Sequence, residues 1–202
     1  EMNGILLIIF ILSSSVCGVY SKDIWINNTA QIDRPDGSQI KPYYSFDQGL
    51  QNILESLNST NVTVIFVSTG VAYPLSSFHL NPNGEYILKL TSNLAFNSEI
   101  SLHKINRPLL NINNNFLSSA AKSLDLSISL LDIFITNSKD GEEAVSYKYF
   151  FFESFDSVQL TLDNVKFNIE RANETDGTNS KLINLEYGSK ITLEMNNITF
   201  NL

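Results

Sequence analysis

Acidic side chains are the first residues of this chain that could do chemistry, since 21 Asp and Glu outnumber 13 Lys and Arg. Enzymes that act on acidic polysaccharides cluster carboxylates for acid–base catalysis or calcium binding, and they add an Arg or Lys that stabilises the developing anion. Asp163 and Glu194 lie near the ends of alternating apolar segments. The other candidates fall in two polar segments, residues 137–146 and 171–180, and they are Asp140, Glu142, Glu143, Glu174 and Asp176. No spacing among them demands catalysis, so we predict no catalytic residue, with Ca²⁺ binding by the two polar segments as the weaker alternative.

Residues that ligate metals or act as nucleophiles do not form a recognisable pattern. His79 and His103 are the two histidines, and neither stands in a metal-ligand spacing. No nucleophile-elbow, phosphate-loop or dinucleotide-binding motif occurs. Lys104 and Arg107 form a small basic group that could contact an anionic sugar, although an exposed turn explains them equally well. We therefore predict no metal site and no cofactor.

An aromatic segment is the most unusual local composition, with Tyr147, Tyr149, Phe150, Phe151, Phe152 and Phe155. Alternation along a strand predicts that Phe150 and Phe152 point inward and that Phe151 points outward. An outward aromatic ring on a flat sheet is suited to contact a sugar or another protein. Coverage of the ring by the polar segment 137–146 is an equally strong alternative.

The overall charge limits the classes of partner. The formal net charge is −8, while 43% of the residues are hydrophobic, which is enough to fill a core. Because no basic stripe is present to neutralise phosphates, we expect no nucleic-acid partner and no attraction to anionic membranes. The remaining candidate partners are proteins and glycans.

Residues 1–18 have the composition of a secretory signal peptide. An unbroken apolar run from Ile5 to Leu12 precedes small residues, with cleavage expected after Gly18. The run is shorter than the about 20 residues that a membrane-spanning helix needs, and no later segment approaches that length. The one cysteine, Cys17, lies in this segment, so the mature chain would contain no disulfide. We expect a secreted or cell-surface protein.

Five Asn-x-Ser/Thr triplets predict N-glycosylation at Asn27, Asn58, Asn61, Asn173 and Asn197. An Asn- and Ser-rich chain also produces such triplets by chance, and Asn197 is the weakest of the five candidates. The triplets agree with an extracellular protein.

The phrase Asn-x-x-Phe-Asn occurs three times, beginning at Asn93, Asn164 and Asn197. Residues 150–169 align without a gap on residues 183–202, and apolar residues coincide at eight positions: Phe150/Ile183, Phe152/Leu185, Val158/Ile191, Leu160/Leu193, Leu162/Met195, Val165/Ile198, Phe167/Phe200 and Ile169/Leu202. We place a degenerate copy between the first two phrases, with Asp132 at the position of the repeated Asn. A repeat of this length indicates a solenoid or an array.

The apolar alternation changes phase at each repeated Asn, as a corner between two flat sheets requires. We therefore predict an all-β fold, a right-handed parallel β-helix with an N-terminal capping helix. Asn93, Asn164 and Asn197 would stack as an asparagine ladder whose amides bond to neighbouring turns. The polar segments 137–146 and 171–180 would project as loops.

The N-terminal third contains the predicted helix. Ser45 is the expected N-cap with Gln48 at the third helical position, and the apolar residues recur on one face as Phe46, Leu50, Ile53, Leu54 and Leu57. Short strands are predicted over residues 23–26 and 62–67. The predicted domain plan is a signal peptide at 1–18, a strand and capping helix at 19–61, and β-helix rungs at 62–202.

The stretch from Asp36-Gly37-Ser38 through Pro42-Tyr43-Tyr44-Ser45-Phe46-Asp47-Gln48-Gly49-Leu50 to Val64-Ile65-Phe66-Val67 resembles the opening of pectin-lyase-like parallel β-helix proteins. The resemblance covers residues 23–80 by order of elements, and it departs at Gly49, where many members have Ala. It implies that the helix caps the N-terminal end of the solenoid core. The fold it implies hosts lyases, hydrolases and adhesins, so activity does not follow from it.

The C-terminal rung has no predicted cap, so we expect further rungs or a protein partner at that edge. The leading functional hypothesis is a non-catalytic secreted or cell-surface glycoprotein that serves as a stalk, filament, adhesion or assembly module. The alternative is the N-terminal part of a carbohydrate-active enzyme, a polysaccharide lyase or hydrolase, with catalytic rungs beyond residue 202. A third hypothesis is a subunit of a larger assembly.

Overall fold

A computed structural model describes residues 21–82, 84–94, 107–113, 116–136, 148–169 and 181–201. The proposed signal peptide, His103, Lys104, Asn173 and the two polar segments 137–146 and 171–180 lie outside these residues. The described elements are, in chain order, β1 (Ser21–Ile26), α1 (Phe46–Leu57), β2 (Asn61–Phe66), β3 (Tyr73–Leu75), β4 (Phe78–Leu80), β5 (Glu85–Ser92), β6 (Leu109–Asn113), β7 (Leu117–Ser119), β8 (Ser123–Ser129), β9 (Asp132–Thr136), β10 (Lys148–Phe152), β11 (Phe155–Asp163), β12 (Lys166–Ile169), β13 (Lys181–Leu185), β14 (Gly188–Asn196) and β15 (Thr199–Asn201).

The strands form three parallel sheets, so the predicted all-β class is confirmed. The six-stranded sheet has the order β1-β2-β5-β8-β11-β14, the five-stranded sheet β3-β6-β9-β12-β15, and the four-stranded sheet β4-β7-β10-β13. From β2 onward the chain visits the six-, five- and four-stranded sheets in turn. We call each such set of three successive strands a rung. The crossover that parallel pairing requires is thus supplied by the other two sheets.

Equivalent residues of successive rungs lie directly beside one another, which confirms the gapless alignment where strand pairing is described. Six of the predicted pairs are Cα partners: Phe150 with Ile183, Phe152 with Leu185, Val158 with Ile191, Leu160 with Leu193, Leu162 with Met195, and Phe167 with Phe200. The same alternate positions of each strand face the interior in successive rungs, because the side-chain period of a strand is two.

The degenerate copy lies two residues away from its predicted alignment. We placed Asp132 at the position of Asn164, but Asp132 pairs with Lys166, and Ser129 pairs with Asp163. Leu130 therefore stands at the level of Asn164. The prediction is wrong because a two-residue shift keeps every apolar side chain on the same face, so alternation alone does not distinguish the two alignments.

Helix α1 packs on the core at its N-terminal end. The Ser45 hydroxyl accepts from the backbone N–H of Gln48 at 3.2 Å, as expected of an N-cap, while the Gln48 side chain accepts from the N–H of Tyr44 at 2.7 Å. The Phe46 ring lies 6.4 Å from Phe66, 5.8 Å from Phe78 and 5.9 Å from Phe116, measured between ring centroids. The aromatic side chain of the helix thus fills the interior between the sheets.

The N-terminal edge of the six-stranded sheet is covered by the segment before α1. Trp25 N–H donates to Gly37 O at 2.7 Å, and Tyr43 N–H donates to Trp25 O at 2.9 Å. Gly37 has a φ of 81°, and a Cβ there would lie 2.6 Å from the Tyr43 ring, so glycine is required at this crossing. This segment satisfies backbone groups that an open edge strand would expose.

Candidate functional site

Phe151 stands on the outer face of the four-stranded sheet, as predicted. Its strand neighbours Phe150 and Phe152 are buried in the core, whereas Phe151 is half-buried and pairs with Asn184 in the next rung. In the opposite direction it pairs with Ser118, which in turn pairs with His79. The topology therefore aligns an imidazole, a hydroxyl, an aromatic ring and an amide in one column across four strands.

A depression of about 430 Å³ lies over this column, and we call it the aromatic depression. It is lined by Ser77, Phe78, His79, Ser118, Phe151 and Glu153. Beyond it, Asn184 is buried and bridges two side chains, accepting from Lys181 Nζ at 3.2 Å and donating to Glu186 Oε1 at 3.0 Å. A ring face flanked by hydroxyl, imidazole and carboxylate groups can stack on the apolar face of a sugar and bond to its hydroxyls.

The two carboxylates singled out in the sequence, Asp163 and Glu194, share a second depression of about 380 Å³ on the six-stranded sheet. We call it the carboxylate depression, and its other lining residues are Lys89, Ser127, Ser129, Thr161, Leu162, Met195 and Asn196. Lys89, Ser127, Thr161 and Glu194 are successive register partners on adjacent strands. Acids beside a lysine are the combination expected of an enzyme that acts on acidic polysaccharide.

Asp163 has a structural role within that depression. Its Oδ1 accepts from Asn164 Nδ2 at 2.8 Å and from Asn196 Nδ2 at 2.7 Å. Two amide donors satisfy the anion and fix the corner of the rung, which is the turn role weighed for it in the sequence. Glu194, by contrast, is an exposed residue of β14.

Asn164 and Asn197 stack at the corner between the six- and five-stranded sheets. Both adopt a left-handed conformation, with φ of 54° and 53°, and Asn197 Nδ2 donates to Asn164 Oδ1 at 2.5 Å. Asn93 lies two rungs away, where its Oδ1 accepts from the backbone N–H of Ser68 at 2.9 Å. The strand register places Leu130 and Ser92, not Asn93, level with Asn164 in the two earlier rungs. The three predicted ladder residues therefore do not form one continuous stack.

Arg107 has a structural role, and its two contact partners could not be predicted from the sequence. Its side chain is 13% exposed, and Nη1 lies 3.7 Å from Asp132 Oδ1 and donates to Asn164 O at 2.7 Å. Arg107 is thus held in the fold at a corner. Burial raises the pKa of Asp132, an effect that the nearby charges of Arg107 and Lys166 partly oppose. The two-residue error in the repeat alignment assigned Asp132 to a turn. For that reason the sequence did not predict the contact between Asp132 and Arg107.

The proposed glycosylation sites differ in their surroundings. Asn58 is exposed just after α1, and Asn61 is half-buried at the start of β2. Asn27 is half-buried, and its Oδ1 accepts from the Thr29 hydroxyl at 2.8 Å. Asn197 is exposed, but its Nδ2 donates a hydrogen bond to Asn164. This nitrogen is the atom to which a glycan would be attached. Glycan occupancy remains a prediction.

The last rung exposes its apolar side chains. Ile191, Leu193 and Met195 of β14 are 47%, 48% and 57% exposed, although their partners one rung back are buried. Phe200 of β15 is 48% exposed while its stacked partner Phe167 is fully buried. Among the described residues, β14 has a strand beside it on one side only, whereas β2, β5, β8 and β11 have one on both sides.

Within the described ranges no group of three or more His, Cys, Asp and Glu residues could hold a metal ion. No helix among the same residues is both long and apolar enough to cross a membrane. Comparison of the chain with protein-family models, with curated proteins and with solved structures found no match.

Proposed function

We propose that this chain is a non-catalytic secreted or cell-surface glycoprotein, an adhesion or assembly module built as a right-handed parallel β-helix of the pectin-lyase-like type, and that the aromatic depression is its saccharide-binding site. The observation that carries the binding role is the column of His79, Ser118 and Phe151 with Glu153 at one depression. The β-helix is supported by the regular visit of the chain to three parallel sheets.

The chemistry of the depression favours an uncharged saccharide. The chain carries a net charge of −8, and Glu153 lines the depression, so a polyanion would be repelled. A carboxylate, an imidazole and two hydroxyl groups offer both donors and acceptors to sugar hydroxyls. The half-buried ring of Phe151, on the outer face of the four-stranded sheet, provides the surface on which a sugar ring would stack.

A glycan array containing neutral and acidic oligosaccharides tests this proposal, followed by calorimetric titration of the best-bound compound. Phe151→Ala should weaken that binding about tenfold, the equivalent of about 1.4 kcal/mol. The matched control is Phe134→Ala, because Phe134 is also half-buried between two buried residues of the same rung, but it belongs to the five-stranded sheet. Equal effects of the two substitutions, or no binding of any saccharide, would refute the binding role.

The carboxylate depression supports a second candidate, the N-terminal part of a polysaccharide lyase or hydrolase. Glu194 lies on β14, the last strand of the six-stranded sheet, so further rungs beyond residue 202 would extend this depression. A reducing-end assay on the longest natural form of the chain, with acidic and neutral polysaccharides, separates the candidates. New reducing ends that disappear with Glu194→Gln favour the enzyme, whereas binding without cleavage favours the adhesion module.

A further inference from the structure

The outer face of the four-stranded sheet presents few side chains along any one strand of the aromatic depression. Strands β4 and β7 are three residues long, and the central residues, His79 and Ser118, point outward. The flanking residues of both strands are buried, because the side-chain period of a strand is two. A ligand that lay along β4 or β7 would therefore meet a single outward side chain of that strand.

Across the strands the same face presents a series of side chains. His79, Ser118 and Phe151 are register partners on three adjacent strands, which lie about 4.8 Å apart. All three line the aromatic depression, whose volume of about 430 Å³ falls in the range of sites that hold drug-sized ligands. A ligand that lies across the strands, along this column, therefore makes more contacts than one that lies along a strand.

The column offers three positions to a ligand. The register partner that follows Phe151 is Asn184, which is 6% exposed and whose amide is held by Lys181 and Glu186. In the other direction, β4 is the end strand of the four-stranded sheet in the described part of the chain. One position remains on each of β4, β7 and β10.

We propose that the aromatic depression binds three consecutive sugars of a linear β-1,4-linked chain of glucose-type units, with the chain lying across the strands. The inference rests on the proposed saccharide binding and names the class of saccharide. A chain of this linkage is an extended ribbon, and its advance per sugar is close to the strand spacing of about 4.8 Å.

The three side chains suit such a ribbon. Equatorial hydroxyl groups leave the faces of each sugar ring apolar, so one sugar stacks on Phe151 while the next two bond to Ser118 and His79. An α-1,4-linked chain of the same sugars winds into a helix, so its second and third units leave the flat sheet. Linkage therefore decides whether all three positions are filled.

Titration calorimetry with glucose, cellobiose, cellotriose and cellotetraose measures the dependence on chain length. Affinity should rise about fivefold with each sugar up to cellotriose, since each adds about one net hydrogen bond, and it should change little with the fourth. Maltotriose, which contains the same sugars in α-1,4 linkage, is the matched control ligand. It should bind at least about fivefold more weakly than cellotriose.

Substitutions assign each sugar to its strand. Phe151→Ala should weaken the binding of every chain length about tenfold. His79→Ala should weaken cellotriose about fivefold and leave cellobiose unchanged, because His79 lies two strands from Phe151. The control Gln159→Ala, at an exposed position of the six-stranded sheet, should change neither affinity. Circular dichroism checks that each variant keeps its strands.

Backbone amide chemical shifts give the direction of the ligand without any substitution. Cellotriose should shift the amide signals around Phe151, Ser118 and His79, on three strands, whereas cellobiose should leave those around His79 unchanged. Changes confined to β10 would place the ligand along a strand and would overturn the inference.

Equal affinities for glucose and cellotriose also overturn it, as do equal affinities for maltotriose and cellotriose. The failure of this inference differs from the failure of the proposed function. If cellotriose does not bind, but another saccharide binds and is lost in Phe151→Ala, the saccharide-binding role stands and the β-1,4-linked class is wrong. If no saccharide binds at all, both are wrong.

Discussion

Leu130 occupies a corner that its neighbouring rung fills with asparagine. Its φ is 57°, in the left-handed region where a bulky residue is strained by about 1 to 2 kcal/mol and asparagine is better tolerated. Asn164 occupies the same corner in the next rung with a similar φ, and its side-chain oxygen accepts a hydrogen bond from Asn197 in the following rung. Leu130 thus combines a left-handed backbone with a side chain that is only half-buried.

Leu130→Asn should stabilise the protein by about 0.5 to 1 kcal/mol, which raises the Tm by about 2 °C in a chain of this size. Thermal unfolding followed by circular dichroism measures the change. The control Leu131→Asn should lower the Tm strongly, since the adjacent Leu131 is fully buried. A fall in Tm with Leu130→Asn would show that the apolar contacts of Leu130 outweigh its strain.

The Asp132 carboxyl group should make stability depend on pH. Because burial raises its folded-state pKa, ionisation favours the unfolded chain, and the stabilising contribution is complete below the unfolded pKa and lost as the pH rises through the folded pKa. Asp132→Asn should therefore increase the free energy of unfolding at pH 7 and have little effect at about pH 3.

Urea unfolding at the two pH values measures this difference, with Asp156→Asn at an exposed position as control. The control should change little at either pH. A loss of stability at pH 7 in Asp132→Asn would mean that the ion pair with Arg107 outweighs the cost of burying the carboxylate.

At the scale of elements, helix α1 stabilises the first rungs through one buried stripe. The stripe consists of Phe46, Gly49, Ile53, Ser56 and Leu57, while Leu50 and Leu54 pack at its margin. The sequence predicts all five apolar residues on one face, and the structure places two of them, Leu50 and Leu54, at the border of that face.

Phe46→Ala should destabilise the protein by about 3 to 5 kcal/mol, as expected when a large buried ring leaves a cavity. Leu50→Ala is the matched control within the helix, and it should cost clearly less because Leu50 is only partly buried. Chemical unfolding monitored by far-ultraviolet circular dichroism gives both values. Equal losses would indicate that the helix contributes through its backbone position and not through the Phe46 ring.

At the scale of the whole molecule, the proposed extracellular location predicts processing and glycosylation. Expression of the full chain in a eukaryotic secretory system should deliver it to the medium without residues 1–18. Treatment with an N-glycosidase should reduce its mass, and Asn58→Gln should remove part of that shift because Asn58 is exposed. Asn197→Gln should leave the glycan mass unchanged, since the Asn197 amide is bonded to Asn164.

Retention of the chain inside the cells, or identical masses before and after the enzyme, would contradict the extracellular proposal. A glycan found on Asn197 would require its bond to Asn164 to open. That outcome would be detected by mass spectrometry of the peptides containing residues 196–201.

The sequence by itself determined the all-β class, the N-cap of α1 and the register between the last two rungs. These features depend on local patterns: a capping residue with its spacing, period-2 alternation, and an uninterrupted repeat in which each residue has one equivalent. The outward position of Phe151 follows from the same alternation. Each was predictable because the physical cause lies within a few consecutive residues.

Only the tertiary structure decided which residues from distant parts of the chain share a surface. The degenerate repeat had two alignments that bury the same face, and strand pairing selected the one with Leu130 at the corner. That choice brought Arg107 against Asp132 and Asn164, and parallel stacking brought His79 beside Ser118 and Phe151. Sequence patterns fix the face on which a side chain lies, but the pairing of strands fixes its neighbours, because those contacts join residues that are far apart in the chain.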